Sequence, residues 1–373
     1  MCSFITKTLQ VIDEYLIFHV PLKQTSLFKF GLATLSLSHF DSLNANARIW
    51  GGYDNRSTAE SRIYRLVTNT KIRELMPTLI PHLHIVTPES LVNIDFSTFA
   101  TRRPYSEFQV LAFGMQTYLG RAIPLFFDII RYPILQVGSQ NIFIIKTIKT
   151  LGKLLGFYPR FVLDRGFAIP SLIQFFIEEN IIFYVRSKKG KLVTIRKGMK
   201  EYKDTDELDN LVAAGKIKQK DVMVKVYGKP MRLVISKKDH KNKEPWYILT
   251  NDMTTPRKKV LEAYYHRFEI EETFKDLKHV KGLEILQMAK VTTFKTLMWF
   301  MILGCWIGYL VEGVIRKTAE NIRVLSQHNK TNKPSNKAKN RHKTLSFFRS
   351  FFEQIQRCFY FISRLLTRKS GVG

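Results

Sequence analysis

The segment "YYHRFEIEETFKDLK" (264–278) sets Tyr264, Arg267 or Phe268, Glu271, Lys275 and Lys278 at helical spacing along one stripe. An apolar stripe would pack on a core, whereas a stripe of Tyr, Arg, Glu and Lys makes sense where it lines a polar cleft. Part of it is explicable as local pairing, because Glu271 lies four residues from both Arg267 and Lys275. Such pairs contribute only about 0.2–0.5 kcal/mol. Two aspartates elsewhere sharpen the pattern: Asp95 inside the apolar run "LVNIDFSTF", and Asp164 closing "RFVLD". A carboxylate in such a run must be paired or ligated, or it costs stability. Three carboxylates gathered in a basic chain form a hard-oxygen set suited to magnesium or manganese. Two such ions roughly 3.5–4 Å apart can activate a water or a 3′-hydroxyl and stabilise the leaving oxygen at phosphorus. Surrounding cations such as Lys275 would hold a phosphodiester backbone.

The bulk composition agrees with a polyanionic partner. The chain has 373 residues, 45% of them hydrophobic, enough for two or three globular units with cores of their own. Lys+Arg number 59 against 31 Asp+Glu, a net charge of +28. Solubility alone needs a net charge of only roughly 2–8 on a small domain, so nucleic acid or an anionic membrane is the expected partner. Cys2, Cys305 and Cys358 form neither a disulfide framework nor a zinc cluster and fit a reducing compartment. The N-terminus shows no basic region, apolar run and small-residue site of the kind a signal peptide has. Leu297 to Val311 is apolar but shorter than the roughly 20 residues of a spanning helix, which favours a buried core helix over a membrane span.

Several elements must position these groups. Residues 1 to about 85 read as helical, and "ESRIYRLVTNTKIRELM" carries Arg62, Arg65, Lys71 and Arg73 off its apolar face. That face suits either DNA or solvent. From Leu91 to about Val185 the expected order is three strands, helix, strand, helix, strand, with the first helix ending near Gly156. The lysine-rich stretch 186–245 reads as a small β-rich insertion with pieces at "LVTI", "VMVKVYG" and "MRLVIS". "WYILT" resumes the apolar pattern, and a long helix is expected from about Pro256 through Val280. An apolar helix follows Phe294. A basic linker, "NKTNKPSNKAKNRHK", precedes a final amphipathic helix.

The spacing of Tyr264, Arg267, Glu271 and Lys278 resembles the Y-R-E-K signature of bacterial insertion-sequence transposases of the DDE superfamily. "LDRGF" is similar to that group's second-aspartate motif, and "NIDFST" to its first, with Ser97 and Thr98 after Asp95. Asp128, in "LFFDIIRY", is a rival first aspartate. The resemblance covers roughly residues 90 to 300. It implies an α/β fold: a ribonuclease-H-like mixed sheet flanked by helices, with a β-rich insertion and helical N- and C-terminal regions. The expected division is a DNA-end-binding region at 1–88, the first part of the catalytic core at 89–185, the insertion at 186–245, the rest of the core with the glutamate helix at 246–324, and the linker and last helix at 325–373.

Carried over by position, the resemblance implies that Asp95, Asp164 and Glu271 are catalytic and hold two magnesium ions, with manganese able to substitute. Arg267 and Lys278 would grip phosphates near the transposon end, Tyr264 would hydrogen-bond one, and Arg165 would contact DNA or brace the site. Trp246 would stack on a flipped base, or else is a core aromatic. The implied activity is cleavage and strand transfer at terminal inverted repeats, with double-stranded DNA as partner and a homodimer pairing two ends. The implied setting is the cytoplasm, on a bacterial nucleoid and off the membrane. The alternative is a catalytically decayed, transposase-derived DNA-binding protein; a membrane-associated basic protein is a more distant third.

Overall fold

Alternation decides the first strands. In β1 (Leu91–Ala100) Val92 and Ile94 are buried toward one face, while Asn93 and Asp95 share the other. β2 (Glu107–Met115) and β3 (Ile123–Tyr132) pair antiparallel beside it. α3 (Ser139–Leu155) ends at Gly156, whose φ of +79° is the left-handed conformation that closes a helix. Then come β4 (Arg160–Leu163), α4 (Pro170–Glu178) and β5 (Phe183–Arg186). The labels α1 and α2 belong to Arg56–Thr68 and Thr70–Thr78. This computed structural model describes residues 56–83, 85–100, 107–118, 120–132, 139–187, 194–197, 200–202, 221–226, 229–236, 245–280 and 290–306.

The strands form one mixed sheet of ribonuclease-H-like order, β3-β2-β1-β4-β5-β10-β9-β8-β6-β7. β1, β4 and β5 run parallel, and β10 (Tyr247–Thr250) is antiparallel to β5. The lysine-rich insertion does not stand apart from this sheet. Its β8 (Asp221–Val226) and β9 (Lys229–Ile235) continue the sheet past β10, followed by β6 (Thr194–Lys197) and the short β7 (Lys200–Tyr202), which the sequence did not suggest.

Helices cover both faces. On one, Phe161, Phe176 and Phe183 stack at 5.9 and 5.2 Å between centroids, joining β4 and β5 to α4. Beside them Gly152 of α3 lies so close to the Tyr158 ring that a Cβ there would stand 2.1 Å from it. On the other, Val260 and Tyr264 of α5 (Arg257–Tyr265) pack on Val162, Tyr184, Val234, Trp246 and Ile248.

The expected single helix from Pro256 to Val280 is a correction. α5 gives way to a 3-10 turn, His266–Phe268, then α6 (Glu269–Lys275), then a π turn, Asp276–Val280. The reason lies outside the helix. Gln116 Nε2 donates to Ala263 O (2.7 Å) and Asn93 Nδ2 donates to His266 O (3.2 Å), so two carbonyls accept from the sheet at the point where the winding changes.

Chain contacts divide the protein into two units, His84–Phe99 with Pro104–Phe274, and the remainder. In the second unit, Asn69 caps α2 by accepting from Ile72 N (3.0 Å), and Ile63, Leu66, Ile72 and Met76 are buried while Arg62 and Arg65 are exposed. The helix at 291–306, here α7, buries Leu297 through Leu303 together with Cys305 and Trp306. Among the described residues no helix is long and apolar enough to cross a membrane. Cys2, Cys358, residues 307–311 of the apolar stretch, and the expected linker and last helix lie outside the described residues.

Candidate active site

Register brings Asp95 and Asp164 to the same edge. Leu91 is opposite Arg160 and Ile94 opposite Leu163, so each aspartate stands one step beyond the last paired residues of adjacent parallel strands. Such strands lie about 4.8 Å apart, and paired side chains project to the same face. This is the carboxyl end of the parallel strands, where ligands gather in open α/β sheets. The rings of Phe96 and Phe167, each just past an aspartate, stack at 5.6 Å. Asp128, the rival, sits on β3, two strands away from β1, and accepts from its own neighbour's N–H at Ile129.

The helical segment supplies the rest. Arg267, only 5% exposed, donates through Nη1 to Asp95 Oδ2 (3.4 Å) and through Nη2 to Glu271 Oε1 (2.7 Å). Its guanidinium lies against the half-exposed ring of Phe268, 4.7 Å from the centroid. Tyr264 Oη donates to Asp164 Oδ1 at 3.1 Å. One guanidinium therefore joins two of the carboxylates, and the phenol three residues before it holds the third.

The electrostatics follow from burial. Asp95 is pushed up to about 6, first by burial, against the charge of Arg267 and the N–H of Phe96; Glu271 and Asp164 add to the rise. Burial works against the charge of Arg267, but Tyr264, Asp164, Asp95 and Glu271 together hold it above its ordinary value. Tyr264 is pushed up to about 12, chiefly by burial and then by Asp164, so it is a neutral donor.

The three glutamates of "EIEETF" have separate fates. Glu269 is buried against the β2–β3 turn, Glu272 pairs with Arg121 at 3.6 Å, and Glu271 faces Arg267 and Asp95. Arg165, exposed, opens the 3-10 turn Arg165–Phe167 directly after Asp164. Lys275 ends α6 and Lys278 lies on the π turn; both belong to the second unit. Trp246, 8% exposed, packs its ring edge-on against Tyr264 at 5.0 Å, inside the core, as in the core-aromatic alternative. Tyr264 itself is 1% exposed, with its hydroxyl committed to Asp164 rather than open to a phosphate.

Three residues that sequence reasoning passed over shape this edge: Asn93, Gln116 and Glu269. Asn93 had a signal, since it shares a strand face with Asp95 two residues on. Gln116 and Glu269 had none.

Three carboxylates within electrostatic reach of one another are the donor chemistry a hard divalent cation needs, and a buried carboxyl left near 6 lacks full compensation for its charge. Among the described residues no three His, Cys, Asp or Glu side chains are grouped closely enough to hold a metal as they stand. The guanidinium of Arg267 bridges two of the three. The set fits a metal in kind, with Arg267 as the cation between Asp95 and Glu271.

Residues 141–306 match the transposase DDE domain family. That stretch contains Asp164, Tyr264, Arg267, Glu271 and Lys278, and with the ribonuclease-H-like sheet it supports a DDE-superfamily transposase. No curated protein matches this chain in sequence. Among solved structures, endonuclease V from Bacillus subtilis is similar at 11% identity over 56% of this chain and 85% of that one, with a TM-score of 0.26, too low to bear on function.

Proposed function

We propose that this protein is a DNA transposase in which Asp95, Asp164 and Glu271 hold divalent metal and catalyse strand cleavage and transfer at terminal inverted repeats. The observation that carries the reading is the single guanidinium of Arg267 bonded to both Asp95 and Glu271, beside the adjacent strand ends that carry Asp95 and Asp164.

Bound there, magnesium supplies Lewis-acid stabilisation of charge at the phosphodiester. The protein's own groups do the remainder. Asp95 gives up its proton above about pH 6 and becomes an anionic ligand. Tyr264 fixes the rotamer of Asp164 by donating to Oδ1. Arg267 neutralises Asp95 and Glu271 by donating to both; with a metal held by those acids, its Nη groups would be free to donate to a phosphate oxygen. Arg165, Lys275 and Lys278 hold the backbone of the transposon end, and the exposed arginines of α1 add sequence-independent affinity. Trp246 serves the core and not the DNA. Water cuts one strand, and the freed 3′-hydroxyl attacks the opposite strand or target DNA. Two ends are joined only when two copies meet, so a homodimer on the nucleoid is the working form.

The test uses purified full-length protein, labelled DNA carrying the inverted repeats that flank the gene, and magnesium. Cleavage is expected with the native chain and lost at least about 100-fold in Glu271→Ala, with DNA affinity within about threefold. Cleavage that survives the substitution rejects Glu271 as a ligand. The rival reading, a decayed DNA-binding relative, draws on the guanidinium that already bridges two of the acids. Tight binding with no nicking in magnesium or manganese would favour it.

A further inference from the structure

Resting on that reading, we infer that Glu269 is the positioning residue of the site: its buried carboxylate docks the glutamate helix onto the β2–β3 turn and so sets where Glu271 stands. Glu269 is 3% exposed, two residues before Glu271, and has no part in the chemistry proposed above. A buried carboxylate requires donors. Here two come from the backbone of one turn: Thr117 N to Oε2 at 2.8 Å and Gly120 N to Oε1 at 3.0 Å. His266 Nδ1 adds a third contact to Oε1 at 3.1 Å.

The same turn is braced by Thr117 Oγ1, which donates to Arg121 O at 2.6 Å, and by the Tyr118 ring, which meets His266 edge-on at 4.5 Å. Tyr118 stands at φ +60° and Gly120 at φ +87°, both in the left-handed region, which costs about 1 kcal/mol for a non-glycine residue. The conformation aims two N–H groups at one carboxylate, the arrangement that binds an anion in a backbone nest. In this protein the anion is part of the chain.

Further contacts run along the same seam. Ala122 N donates to Glu269 O at 3.2 Å, and Thr273 Oγ1 donates to Ala122 O at 2.8 Å. Ile270 presses on Gly114 of β2, where a Cβ would stand 3.3 Å from it and 2.9 Å from Ala122 Cβ. Glu269, Ile270 and Thr273 thus fix the depth, height and rotation of α6 against β2 and β3. Glu271 projects from the same turn of helix toward Asp95, which β1 holds independently. Loosening the clamp moves one acid relative to the other two without removing any of them. An error of about 1 Å in a catalytic constellation is enough to cost on the order of 100-fold in rate.

The decisive variant is Glu269→Gln, which keeps the size but turns an NH2 group toward one of two backbone donors. Thr273→Val removes the neighbouring hydrogen bond at nearly constant shape, and Glu272→Gln, at the exposed pair with Arg121, serves as control. The full chain is assayed on repeat-carrying DNA below each variant's melting transition. We expect kcat to fall on the order of 10- to 100-fold in Glu269→Gln and roughly 2- to 5-fold in Thr273→Val, with KM for DNA unchanged. The control should stay within about twofold, and Glu269→Asp should recover part of the loss. Hydrogen exchange gives a readout independent of activity: the Thr117 and Gly120 amides, protected in the native chain, should exchange at least about 10-fold faster in Glu269→Gln. An unchanged kcat in folded Glu269→Gln overturns the inference, as does a rise in KM that accounts for the whole loss. Should the native chain fail to cut DNA at all, the transposase reading falls, and the exchange rates still decide whether the clamp exists.

Discussion

The two ends of β4 carry the same kinds of side chain and opposite electrostatics. At the amino end, Arg160 meets Asp252, Glu89 and Thr255, and Tyr184 Oη donates to Asp252 Oδ2 at 2.6 Å. At the carboxyl end, Arg267 meets Asp95 and Glu271, and Tyr264 donates to Asp164. An arginine, a tyrosine and aspartates form both clusters. α5, nine residues and so about 13 Å long, runs from one cluster to the other, starting just after Thr255 and ending at Tyr265.

The difference is in how completely the acids are met. Asp252 is 3% exposed, and burial alone would raise it; hydrogen bonds from Thr255, Tyr184 and Thr254 outweigh burial and hold it well below the usual carboxylate range. Asp95 has one long bond from Arg267 and one from its neighbour's N–H, with two further acids close by, and it rises to about 6. Asp252 stabilises the fold as an anion, while Asp95 as an anion destabilises it. An acid that is left short of donors by its own protein has affinity to spare for a cation from outside.

That contrast can be broken by substitution. The largest effect is expected from Asp252→Ala, which takes the buried acceptor from Arg160, Tyr184 and Thr254 and costs about 3–5 kcal/mol of unfolding free energy in denaturant titration. Asp95→Asn should move the other way at pH 7, raising stability by about 1–3 kcal/mol while abolishing cleavage. A shared sign for the two would dissolve the distinction between the clusters.

Titration sharpens it. The folded chain holds the Asp95 proton more tightly than the unfolded chain, whose aspartates titrate near 3.9. The stability this contributes is full below about pH 4 and fades as pH rises to about 6. Asp252, held low, contributes above about pH 4 and loses that contribution as acid is added. Urea midpoints followed between pH 4 and 7 should therefore show a downward component that Asp95→Asn removes, and cleavage should rise through about pH 6. The tyrosines differ less. Tyr184→Phe, losing a 2.6 Å bond to a buried anion, should cost about 1.5–3 kcal/mol. Tyr264→Phe, losing a 3.1 Å bond to the partly exposed Asp164, should cost about 0.5–1.5 kcal/mol. Equal losses would mean that the two phenols are equivalent.

How far the sequence foretold this edge depends on where each signal was local. Asp95 and Asp164 stood out because a charge in an apolar run is conspicuous wherever the run folds, and the strand and helix order from 91 to 186 followed from periodicity. Glu271 stood out through its spacing from Tyr264 and Arg267. Trp246 stood on "WYILT", a strand buried on both faces with no alternation to tell the core from the surface. The change of winding after Tyr265 was illegible, because the amides that take Ala263 O and His266 O come from strands far away in sequence. The asymmetry between Asp252 and Asp95 was hidden for the same reason: nothing in either neighbourhood announces how many donors tertiary structure will bring.

The register of β1 on β4 has a consequence for how the polypeptide is made. β1 and β4 can pair, and so bring the two aspartates to one edge, as soon as β4 has left the ribosome, but the arginine that tempers them and the third acid are translated only after β10. A message cut short by a frameshift between β5 and β10 would yield a product with two acids on an open rim, no guanidinium to quiet them, and the edge of β5 bare for want of β10. Such a fragment would clump through that unpaired edge.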